Sequence, residues 1–124
     1  MSAEPPEPLQ LVRAPIRLQA LRHLSENQFG DLVKAVVDVG QRIMVIGGEL
    51  HADEESFMLD IGSRQQELWG INLYPAGYNT DDFIEFDSMI NLRPSQGNRT
   101  RSVEDPAARQ AIVEIVTQLV QRDD

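Results

Sequence analysis

The alternation of apolar and polar positions is clearest in "LWGINLYP". There Trp69, Ile71 and Leu73 face one way and Gly70, Asn72 and Tyr74 the other, which predicts a strand. "FIEFDSMINLRP" continues the theme: Ile84, Phe86, Ile90 and Leu92 share one face, and Glu85, Asp87, Asn91 and Arg93 share the opposite one. "RIMVIGG" is apolar on both faces and predicts a central strand, with Gly47 and Gly48 marking its end. "LVKAVVDV" supports two readings. Val33, Ala35, Val37 and Val39 alternate with Lys34 and Asp38 as in a half-buried strand. Yet Phe29, Leu32, Val33, Val36, Val37 and Gly40 also fit helical spacing, with Ser25 and Gln28 as a capping box. The β-branched density and the turn-like "VGQR" favour strand and hairpin.

Three helices complete the pattern. Pro15 suits a first helical turn, because it lacks only an N–H that would be unpaired there, and Leu18, Leu21 and Leu24 follow on one face. "ADEESFMLDIG" has acids in its first turn and Gly62 at its end. The last helix starts with Asp105 as N-cap and Pro106 at the first helical position, and buries Ala108, Ala111, Ile112, Ile115 and Leu119. The order is α-β-β-α-β-β-α. Short connections favour antiparallel pairing, so the expected fold is α+β: a largely antiparallel four-stranded sheet with helices packed on the Trp69 face. Residues 1–9 are Pro- and Glu-rich and are expected to form a mobile acidic tail, with 10–124 as a single domain.

Composition narrows the function classes. The 124 residues suit one compact domain, and 41% hydrophobic content supplies a core. There is no cysteine, which excludes disulfides and thiolate metal clusters and fits a cytoplasmic protein. "MSAEPPEPLQ" lacks the basic and apolar regions of a signal peptide, and no apolar run approaches the roughly 20 residues that cross a bilayer. The formal charge of −9 gives solubility and repels phosphate backbones and anionic membranes, so neither general nucleic-acid binding nor membrane association is expected.

Three places could carry chemistry. In "GGELHADEES", Glu49, His51 and Asp53 occupy alternate positions; on a strand they would project to one side. His51 could then be a general base oriented by a carboxylate, Asp87 included, or the three could hold a metal given a further ligand. The bland alternative makes Asp53 a helix cap and Glu49 a solvated strand end. One imidazole without a thiolate is a weak metal signal, so neither metal nor cofactor is expected. The second place is the polar sheet face of Asn72, Tyr74, Glu85, Asp87, Asn91 and Arg93, where Tyr74 and Asn91 can contact a partner without added charge. The third is "RPSQGNRTRS", where Arg93, Arg99 and Arg101 could grip a small anion, or could pair with the protein's own acids.

"GGELHADEE", "GSRQQELWGINLYP", "FIEFDSMINLRPSQGNR" and "VEDP" together resemble the domain-of-unknown-function family numbered 5674, a set of small uncharacterised prokaryotic proteins. The resemblance covers roughly Phe29 to Val120. It implies a compact intracellular domain and brings no activity, cofactor or catalytic residue. The leading expectation is therefore a binding or regulatory domain that works by protein–protein contact with a partner or as a homodimer. The alternatives are a small hydrolase using His51 with Glu49, Asp53 or Asp87, and a small-anion pocket of Arg93, Arg99 and Tyr74.

Overall fold

A computed structural model describes residues 4–123. The elements are β1 (Gln10–Val12), β2 (Ile16–Arg17), α1 (Leu18–Asn27), β3 (Val33–Asp38), β4 (Ile43–Ile46), α2 (His51–Asp60), β5 (Leu68–Leu73), β6 (Ile84–Glu85), α3 (Pro106–Leu119) and β7 (Val120–Gln121). Five strands form one antiparallel sheet in the order β1-β4-β3-β5-β6. β2 and β7 make a separate parallel pair. The fold is α+β, with β1 as a fifth strand that its three-residue length hides from any periodicity argument.

The strand reading of residues 33–39 holds, and its β-branched side chains explain why. β3 is the middle strand, paired with β4 on one side and with β5 on the other. It is not half-buried: Val36 and Asp38 are as buried as Val33, Ala35 and Val37. Helices cover both sheet faces. Helices α1 and α3 pack on the Trp69, Ile71 and Leu73 face, while α2 packs Met58 and Phe57 on the other face against Val36, Val45 and Leu68. Full burial of Met58 contributes on the order of 2 kcal/mol.

Two further expectations change. Pro15 precedes β2, and α1 begins only at Leu18, because Ile16 and Arg17 pair with the end of the chain at Val120 and Gln121. "FIEFDSMINLRP" is not one strand. Only Ile84 and Glu85 pair with β5; Met89–Asn91 is a 3-10 turn. The expected common face is split: Ile84 and Phe86 pack on the α1/α3 side, Ile90 on the α2 side, and Leu92 is exposed. Ser88 starts the turn by accepting from Ile90 N at 3.3 Å. In α3, Asp105 caps as expected, accepting from Ala107 N at 3.1 Å.

Of the stretch read as a tail, residues 1–3 lie outside the described residues. Pro6, Glu7, Pro8 and Leu9 border a depression against Gly48 and Phe57.

Candidate functional site

The face covered by α2 changes character along its length. Beneath the helix it is apolar. Towards Leu73 it becomes polar, because Lys34, Asn72 and Glu85 are aligned across β3, β5 and β6. The helix begins over this end with His51.

His51 opens α2 instead of continuing a strand, since β4 stops at Ile46 and Leu50 is the N-cap. Successive helical residues turn by about 100°, so His51 and Asp53 point to roughly opposite sides. The alternate-position argument for Glu49, His51 and Asp53 therefore does not apply. Glu49 and Asp53 are exposed and share the outer depression beside Pro8. Asp53 lies in the first turn, where its charge suits the helix dipole, and it is not the cap.

The His51 ring is buried and its Nε2 donates to Ile71 O at 2.8 Å. A carbonyl only accepts, so Nε2 carries the hydrogen. Burial lowers the imidazole's pKa below its ordinary range, and the bond to Ile71 partly opposes this. The charges of Lys34 and Arg101 lower it further, while Asp87 raises it. The ring is therefore neutral at physiological pH, with Nδ1 an acceptor that bonds to nothing among the described residues.

Glu54 lies one helical turn on, on the same inward face, and is fully buried. Its Oε2 accepts from Gly48 N at 2.9 Å, and Oε1 has no partner among the described residues. Gly48 makes this approach possible: a Cβ there would stand 2.6 Å from Glu54 Cγ. Burial raises the Glu54 pKa well above the carboxylate range, outweighing the Gly48 bond and the nearby Lys34 charge. Sequence reasoning missed Glu54 among the three consecutive acids of "DEE". The available signal was its helical spacing: three residues after His51 and four before Met58, on the buried stripe.

Around these two groups the outer polar residues pair with one another. Asn72 Nδ2 donates to Glu85 Oε1 at 2.8 Å and to Asp87 O at 3.3 Å, while its buried Oδ1 has no partner among the described residues. Tyr74 Oη donates to the same Glu85 oxygen at 3.2 Å. Burial and the Glu85 charge raise the Tyr74 pKa. Arg101 grips Asp87 with Nε at 2.6 Å and Nη2 at 3.3 Å, and this hydrogen bonding holds the Asp87 carboxyl below its usual range.

Two residues expected on this surface belong to the architecture. Asn91 is 0% exposed. Its amide pairs with Gly70 as a neighbouring strand would: Oδ1 accepts from Gly70 N at 2.8 Å, and Nδ2 donates to Gly70 O at 2.9 Å and to Arg101 O at 2.9 Å. It thereby covers the edge of β5 that β6 is too short to reach. Gly70 permits the contact, since a Cβ would lie 2.6 Å from Ser88 Oγ. Arg93 continues the cover, donating to Gln65 O and to Leu68 O while its guanidinium stacks 4.2 Å from the Trp69 ring centre. Trp69 itself is core, as expected.

The three arginines do not form one anion grip. Arg93 is at the Leu68 end of β5 and Tyr74 beyond the Leu73 end, roughly 20 Å apart at strand rise. Arg101 holds Asp87, and Arg99 is exposed, its backbone N donating to Glu104 Oε2 at 2.6 Å. The loop is organised by buried Asn98, whose Nδ2 donates to Asn91 O, Thr100 O and Ser102 O. Among the described residues, no three His, Cys, Asp or Glu side chains form a group that could hold a metal ion.

The chain matches the family described as "Protein of unknown function (DUF5674)" over residues 10–119. The chain belongs to the DUF5674 family. The match runs from β1 to the last residue of α3, so the sheet, all three helices and the polar end just described are parts of the DUF5674 domain. No curated protein and no solved structure matches the chain. Among the described residues, no helix of this DUF5674 protein is long and apolar enough to cross a membrane.

Proposed function

We propose that this DUF5674 protein is a binding domain that acts by protein–protein contact through the polar end of the α2-covered sheet face. The observation that carries this reading is the exposure of two large apolar side chains beside the polar set. Leu50, 59% exposed, immediately precedes His51, and Met89, 62% exposed, follows Asp87 by two residues. Exposed apolar side chains beside a polar set suit a partner's surface better than a reacting substrate. The partner is a protein and not a nucleic acid: the charge is −9, Arg93 is spent on backbone carbonyls and Arg101 on Asp87. A second copy of the chain is the simplest partner.

The test is sedimentation over a wide concentration range, together with crosslinking in the native host, for wild type and a Leu50→Glu/Met89→Glu variant. Self-association or a specific crosslinked protein should disappear in the variant while its melting temperature stays put. A wild type that is monomeric throughout and yields no crosslink sensitive to the variant would refute the reading.

One observation favours a second reading, acid–base chemistry. An imidazole that donates through Nε2 lies one helical turn from a buried carboxyl whose pKa burial raises. A hydrolytic activity abolished by His51→Gln but indifferent to Met89→Glu would establish it in place of the contact surface. Hydrolase substrates turned over equally by wild type and His51→Gln would exclude it.

A further inference from the structure

A separate cavity of about 530 Å³ opens between α3 and the chain from Tyr78 to Phe86. Its walls include Tyr78, Phe83, Ile84, Phe86 and Val113, and Arg109 contributes the cationic group. We propose that this cavity binds a planar aromatic carboxylate. The volume lies within the range typical of small-molecule sites.

The rim is built before any ligand arrives. Thr80 Oγ1 donates to Gly77 O at 2.7 Å and accepts from Asp82 N at 3.1 Å. Tyr78 and Phe83 meet edge to face, with ring centres 5.2 Å apart and planes at 79°. Such an aromatic corner accepts another flat ring by the same quadrupole geometry.

Arg109 sets the polar end of the ligand. Its guanidinium lies 4.0 Å over the Phe86 ring. Nη1 donates to Ser102 Oγ and Val103 O, both at 3.2 Å, which fixes the plane. The Nε and Nη2 hydrogens have no partner among the described residues, and no carboxylate there lies within ion-pair distance of Arg109. On a chain with 20 acids and 11 Lys and Arg, an oriented guanidinium with an unspent edge is conspicuous. That edge matches the two oxygens of a carboxylate.

Phosphate fits less well. It carries more charge and needs further donors, whereas Arg109 is the cavity's single Lys or Arg and Asp81 stands on the rim. The α3 N-terminus offers no substitute, because Asp105 caps it.

The test is a titration of the full chain with 2-naphthoate and with neutral 2-naphthamide, followed by amide chemical shifts. The expected result is saturable binding of 2-naphthoate with shifts confined to Tyr78–Phe86 and the adjacent turns of α3. The amide should bind about tenfold more weakly, and Arg109→Gln should weaken 2-naphthoate by about ten- to hundredfold, the loss of a charge-assisted hydrogen bond. Val113→Glu, at an exposed α3 position, should weaken it likewise and stands in if Arg109→Gln fails to fold. Equal binding of the two compounds, wild-type affinity in the variants, shifts elsewhere, or no saturable binding would each overturn the proposal.

Discussion

The two ends of α2 each bury an acid against the sheet, and they treat it differently. At the C-terminal end Asp38 is almost fully buried and accepts four hydrogen bonds, from Gly40 N, Gln41 N, Gln41 Nε2 and Ser63 Oγ. At the N-terminal end Glu54 is buried as deeply and accepts one, from Gly48 N. Burial alone therefore does not decide what a buried acid does; the supply of donors does. The Asp38 end is a finished structural network. At the Glu54 end a buried carboxyl oxygen and the buried Asn72 carbonyl oxygen lack partners among the described residues. Buried polar atoms without a partner are uncommon in folded proteins, and the two at this end lie beside the surface proposed for partner contact.

The comparison breaks most readily at Asp38. Asp38→Ala removes the shared acceptor of two backbone N–H groups, the Gln41 amide and the buried Ser63 hydroxyl, and should cost about 3 kcal/mol by urea unfolding. A loss below about 1 kcal/mol would mean that the network is not what holds this end of the sheet.

Glu54 sharpens the comparison through pH. Its folded pKa is raised, so the unfolded chain ionises first, from an ordinary value near 4.5. The stability it contributes is complete below that pH and is lost as pH rises towards the folded value. Glu54→Gln keeps an acceptor for Gly48 N without a charge. It should abolish this decline and be more stable than wild type at pH 8. His51 has the opposite sign: its folded pKa is lowered, so stability present above about 6.5 is lost as pH falls through the folded value. His51→Gln should remove that acid-side loss only. A Glu54→Gln protein that declines with rising pH as wild type does, or a His51→Gln protein that loses stability on the acid side as wild type does, would contradict the corresponding assignment.

The smallest effect belongs to the exposed Asp87–Arg101 pair, whose side chains are 43% and 53% exposed. Arg101→Gln should leave the unfolding midpoint unmoved, because solvent screens such pairs. A clear loss would show that Arg101 supports the site and does not merely decorate it.

Much of the architecture was legible in the chain itself. The alternation in "LWGINLYP", the β-branched run at 33–37 and the Asp105–Pro106 start of α3 are local signals, and each names its element correctly. Polar residues were harder to place. Asn91 looks like any surface asparagine, but Gly70 sits 21 residues earlier and their pairing is invisible along the sequence. Glu49, His51 and Asp53 look alternate only while the segment is taken for a strand; helical geometry sends His51 inward and leaves Glu49 and Asp53 outside.

What the sequence determined by itself was the set of elements with their own periodicity or caps, because backbone propensity and side-chain period act over a few residues. The tertiary structure alone decided that both sheet faces are covered, that β1 and β2 find distant partners at β4 and β7, and which acid is buried. Those outcomes depend on contacts made across long stretches of chain. A three-residue strand such as β1 or a single carboxyl such as Glu54 has too little local preference to announce its place; the surrounding core assigns it.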